Sequence, residues 1–72
     1  MSVEKVIITV ADSDVSSIQS VADKLRSEGM KVDNVLCTSG IITGEVSKEN
    51  RDKLKSVKGV LDVEPDEDMQ AI

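Results

Sequence analysis

Not one of the 72 residues is Phe, Tyr or Trp, so any core must be built from Val, Ile, Leu, Met and Ala. Aromatic side chains bury roughly 150–250 Å² each, and their absence removes the largest single contributions to a core. A chain this short also buries only about 60% of the surface that its unfolded form exposes. The expected stability margin is thin, and wider when a partner is bound. A chain of this length makes one domain. We expect a globular unit over residues 1–66 and an extended C-terminal tail over 67–72.

The formal net charge is −5, with no His. Nucleic acid is not an expected partner, because it requires a basic footprint and usually aromatic stacking. The acidic excess gathers near the C-terminus, in Asp62, Glu64, Asp66, Glu67 and Asp68. That asymmetry favours a neutral or basic docking surface on the partner. The lone Cys37 cannot form an internal disulfide, and such a residue is expected to be a small buried hydrophobe. No basic leader with a longer apolar run precedes the first strand, and no run reaches membrane-spanning length. A cytoplasmic chain without membrane contact is therefore expected, as a monomer or a weak dimer.

Lys5 to Ala11 carries β-branched residues on both faces, which predicts a central strand. Asp12, Ser13 and Asp14 offer oxygens to cap a helix. Val15, Ile18, Val21, Ala22 and Leu25 then recur at helical spacing, and Gly29 is placed to end that helix. Met30 to Cys37 reads as a second strand. Its broken alternation predicts an edge position or a bulge. Ile41 to Val46 is a third strand, with Gly44 as a site of close approach. Ser47 can cap a second helix running roughly to Val57. Val60, Leu61 and Val63 form a fourth strand, which Pro65 stops. The order β-α-β-β-α-β predicts an α+β, ferredoxin-like sandwich: a four-stranded antiparallel sheet with two helices on one face. The other face, carrying several aliphatic side chains, is left for a partner.

Several short patterns carry a resemblance. They are Glu28-Gly29, Lys31-Val32, Gly44-Glu45-Val46-Ser47, Lys58-Gly59-Val60 and Val63-Glu64-Pro65-Asp66. Together they resemble the subtilisin propeptide family and its stand-alone inhibitor relatives, over nearly the whole chain. The Gly-Val-x-x-Val-Glu-x-Asp block at residues 59–66 is the sharpest part. The resemblance implies a subtilisin-family serine protease as partner and no catalysis by this chain. It implies that the open sheet face packs on surface helices of the protease. Glu64 and Asp66 would cap the N-termini of those helices, where orphan N–H groups and the helix dipole favour a carboxylate. The tail Met69, Gln70, Ala71 and Ile72 would enter the substrate cleft as an added strand. Ile72 would fill the primary specificity pocket, Ala71 the next, and Met69 the apolar S4 pocket, with Gln70 towards solvent. A role as a folding chaperone for the protease is also implied. The chain departs from the family at Ile41-Ile42, where Gly-Phe is frequent, and at Ile72, which is β-branched.

Other readings account for the same residues. Glu64, Asp66, Glu67 and Asp68 also fit a solvated acidic tail. They lack the Gly and the terminal Glu of an EF-hand loop, so no metal is expected there. Asp12 and Asp14 have the spacing of a metal-binding Asp-x-Asp, but capping explains them more cheaply. Met69 and Ile72 could instead fold back on the sheet edge. Without His there is no Ser-His triad, and no Cys-x-x-Cys is present to bind copper or zinc. A Schiff-base lysine needs a closed cavity, and every Lys here has polar neighbours. An acidic loop after the first strand would repel phosphate, against an acylphosphatase. No cofactor is expected. The alternative function is a regulatory or dimerising module of the ACT type, which pairs sheets edge to edge.

Overall fold

The computed structural model describes residues 3–66. The strands are β1 (Val3–Val10), β2 (Lys31–Leu36), β3 (Ile41–Ser47) and β4 (Val60–Pro65); the helices are α1 (Ile18–Ser27) and α2 (Lys48–Leu54). The four strands form one sheet in the order β2-β3-β1-β4. β1 pairs antiparallel with β3 and β4, and β2 pairs antiparallel with β3. It follows that β1 and β2, joined through α1, run parallel with β3 between them. β3 and β4, joined through α2, run parallel with β1 between them.

β1 is central, as its two-sided β-branched pattern predicts. Val6, Ile8 and Val10 point into the core. They meet Ile42 and Val46 of β3, Val63 of β4, Ile18, Val21, Ala22 and Leu25 of α1, and Leu54 of α2. These side chains form one cluster, so both helices cover the same face of the sheet. Met30 completes it, in contact range of the Gly44 position.

α1 ends in a Schellman motif. The Met30 N–H donates to the Leu25 carbonyl, and the Gly29 N–H donates to the Arg26 carbonyl. Gly29 takes φ +101°, a conformation that L side chains rarely adopt. Gly44 is needed for space rather than for angle. A Cβ there would lie 2.1 Å from the Lys31 carbonyl oxygen of the neighbouring strand.

Some local expectations are corrected. Asp12, Ser13 and Asp14 do not cap α1. Residues Asp12–Ser17 form a 3₁₀ segment first, and neither it nor α1 has a side-chain cap bond. The Ala11 N–H is taken by the Gly59 carbonyl and the Val10 N–H by the Gly40 carbonyl. These long-range bonds fix the chain as it leaves β1, before local capping can act. Ser47 does precede α2, but again without a side-chain cap bond. α2 stops at Leu54 rather than Val57. Tighter i→i−3 bonds from Lys55, Ser56 and Val57 follow it. Cys37 is exposed, not buried. The Ser39 and Gly40 N–H groups both bond the Leu36 carbonyl, which ends β2 and carries Cys37 into the turn.

β2 lies at one edge and bulges at Asp33, between Val32 and Asn34. β4 lies at the other edge and carries an extra residue, Leu61, 69% exposed, where the register shifts. Pro65 is the last residue of β4, as expected, and still sits opposite Val6 in the sheet. Its missing N–H costs nothing on an outer edge.

Candidate partner-binding surface

The register places defined rows of side chains on the face away from the helices. Directly opposed residues share a face, so the pairing can be read across all four strands. Lys31, Glu45 and Lys5 form one row. The Asp66 N–H donates to the Lys5 carbonyl at 2.9 Å and extends that row past the end of β4. Asn34, Thr43, Ile7 and Glu64 form the second, and Leu36, Ile41, Thr9 and Asp62 the third. The face carries several aliphatic side chains, as expected, but they are mixed with polar ones. Its aliphatic content in these rows is Ile7, Ile41 and Leu36, set among charged and hydroxyl side chains.

Glu64 and Asp66 sit at the β4 edge of this face. Asp62 joins them, two residues before Glu64. Successive same-face positions on a strand lie about 7 Å apart. The period-two acidic run was readable in the sequence, but Asp62 stood out there only as part of a general acidic end. Met69, Gln70, Ala71 and Ile72 lie outside the described residues.

Asp62 holds Glu64 above its ordinary value of 4.5. The chief cause is a proton shared between the two carboxyl groups, then repulsion by the Asp62 charge, then slight desolvation. For an acid, a raised folded value means that the native state holds the proton more tightly than the unfolded chain. The strain is present above the folded value and is relieved as pH falls through it. Asp62→Asn should bring the Glu64 midpoint down in a carboxyl NMR titration. An unchanged midpoint would show that Asp62 does not act on it.

Elsewhere, Glu4, Lys48, Arg51 and Asp52 line a shallow polar depression beside α2. Arg51 donates to Glu4 at 2.9 Å and clasps α2 to β1. The two acids and two bases there offset one another in charge. Among the described residues no cluster of three Cys, Asp or Glu side chains is arranged to hold a metal ion. Among them, too, no helix is long and apolar enough to cross a membrane.

No family model matches the chain, and no solved structure matches it at a significant level. Dihydropteridine reductase of Dictyostelium discoideum is 38% identical to it over 55 residues. The match covers 76% of this chain but 23% of the reductase, so the chain spans about a quarter of that relative.

Proposed function

We propose that this chain is a non-catalytic binding module that blocks the cleft of a subtilisin-family serine protease. The globular part docks by its open sheet face, and Met69, Gln70, Ala71 and Ile72 occupy the substrate groove. The strand order β2-β3-β1-β4, with a helix after β1 and another after β3, supports the finer assignment of the fold as ferredoxin-like. The observation that carries the reading is the β4 edge. There Asp62, Glu64 and Asp66 present carboxylates on the uncovered face, immediately before the proposed cleft-binding segment.

The mechanism uses ordinary physics. Glu64 and Asp66 accept hydrogen bonds from N-terminal N–H groups of two protease helices and complement their dipoles. The sheet fixes the direction in which the chain leaves β4, which lowers the ordering cost of adding a strand to the cleft. Inhibition requires the folded state, since an unfolded chain is itself substrate. Stability and potency therefore rise and fall together. A chaperone role for the protease domain extends the same proposal.

The partial match to a reductase does not carry an enzyme proposal, because it leaves most of that protein unmatched. The ACT-type alternative pairs sheet edges. Here both edges are blunted, by the bulges at Asp33 and Leu61 and by Pro65.

The test is competitive inhibition of chromogenic peptide hydrolysis by a subtilisin-type protease. Replacing both Glu64 and Asp66 by Ala should weaken inhibition by about 1–3 kcal/mol, roughly 5- to 150-fold. An unchanged inhibition constant would remove the capping role.

A further inference from the structure

The charges on the open face are ordered. Across β2, β3, β1 and the residue after β4, the first row reads Lys31, Glu45, Lys5, Asp66, alternating in sign. Among the described residues the ion pairs are Arg26 with Asp23 and Arg51 with Glu4. The alternating row contributes to neither.

We propose that a second copy of this chain docks on this face, sheet against sheet, about a two-fold axis running along the strands between β3 and β1. That rotation keeps each row in place and lays β2 over β4, and β3 over β1, of the other copy. Lys31 then meets Asp66 of the second copy, and Glu45 meets its Lys5. In the middle row Asn34 donates to Glu64, and Thr43 covers Ile7. In the third row Ile41 packs on Thr9. Leu36 opposite Asp62 is the mismatch, and it falls at the rim, where water remains. A two-fold axis across the strands would instead lay the charged row over Leu36, Ile41, Thr9 and Asp62, leaving both lysines unmatched. Charge complementarity thus selects one arrangement. Aligned sheets packed in this way keep their strands within about 30° of one another.

The size of the face sets the strength. Four strands at about 4.8 Å spacing and three rows at about 7 Å give roughly 400 Å² per copy. A standard stable interface takes about 800 Å² per partner. The dimer is therefore transient, with a dissociation constant of about 10 μM to 1 mM. It uses the face proposed for the protease, so the two occupants compete. Sedimentation of the chain alone tests the dimer without any protease, so either proposal can fail by itself.

The full chain should shift from monomer to dimer in analytical ultracentrifugation as its concentration rises to about 1 mM. Glu45→Lys and Lys5→Glu should each abolish the shift, and mixing the two variants should restore it as a heterodimer. An effect confined to one folded copy cannot be rescued by mixing. Glu49→Lys makes the same charge change on exposed α2 and should leave the dimer intact. If circular dichroism shows a charge variant to be unfolded, Thr43→Arg makes the same test from the middle row. A chain that stays monomeric at that concentration overturns the proposal. So does a dimer that ignores Glu45→Lys or Thr43→Arg, or mixed variants that stay apart.

Discussion

Gly44→Ala should lower the thermal midpoint by about 12–24 °C, the largest effect expected of a single methyl group in this chain. The added Cβ would sit 2.1 Å from the Lys31 carbonyl oxygen and 2.8 Å from the Met30 terminal methyl. The methionine can rotate away. The carbonyl cannot, because it belongs to the β2 backbone beside Gly44 in the sheet. Relief requires β2 to draw back from β3, which opens the edge of the sheet above the core. Alanine in a strand recovers roughly 0.5–1 kcal/mol of backbone entropy relative to glycine. Overpacking costs about 1–3 kcal/mol and more when backbone must move, so the clash wins, at about 3 kcal/mol net. Domains hold roughly 0.05–0.15 kcal/mol per residue, and a core without aromatic side chains belongs near the lower figure. Most of the margin is then gone. A midpoint within about 4 °C of the parent would show that β2 yields easily at this site.

Leu54→Ala should be comparably damaging, for a different reason. Leu54 is fully buried and is the one buried residue of α2. Truncating a buried leucine costs about 2–5 kcal/mol. A further tie of α2 to the sheet is the Arg51–Glu4 pair, whose side chains are 37% and 20% exposed. Such a pair contributes at most about 1 kcal/mol. Without Leu54 the helix is held by little, so its amide protons should exchange before those of β1. Amide exchange by NMR reads this directly. If α2 stayed protected to the same extent as β1 in the variant, packing through Leu54 would not be what holds it.

The sequence reported local matters well and distant ones poorly. The central place of β1 was legible because Val6, Ile7, Ile8 and Val10 put β-branched side chains on both faces. Gly29 was legible as a helix stop, and Gly44 as a close contact, because each glycine answers a backbone requirement. The Asp12–Ser17 segment was not legible. Its path is set by bonds from Val10 and Ala11 to Gly40 and Gly59, far along the chain. Cys37 was misplaced because its apolar character suggested the core, whereas the turn after Leu36 carries it outward. The rows on the open face could not be read at all before the register was known. The Asp33 bulge shifts Asn34 and Leu36 relative to Lys31, so their rows do not follow from counting along β2. On β4 the Leu61 bulge displaces Val60, while Asp62 stays in step with Glu64. Glu64 and Asp66 stood out through their place in the Val-Glu-x-Asp block. Asp62 lies two residues before Glu64 on the same strand, so its place on their face was open to counting, although it stood out only as part of the acidic end.

The central claim is the proposal that residues 69–72 act in the cleft of a subtilisin-type protease while the sheet docks beside the cleft and positions them. It is tested most directly by deleting Met69 to Ile72 and titrating the shortened and full chains against such a protease with a chromogenic peptide. The account predicts competitive inhibition by the full chain, and at least a hundredfold loss on deletion with the thermal midpoint unchanged. Equal inhibition by the two chains, or none by either at about 100 μM, would contradict it.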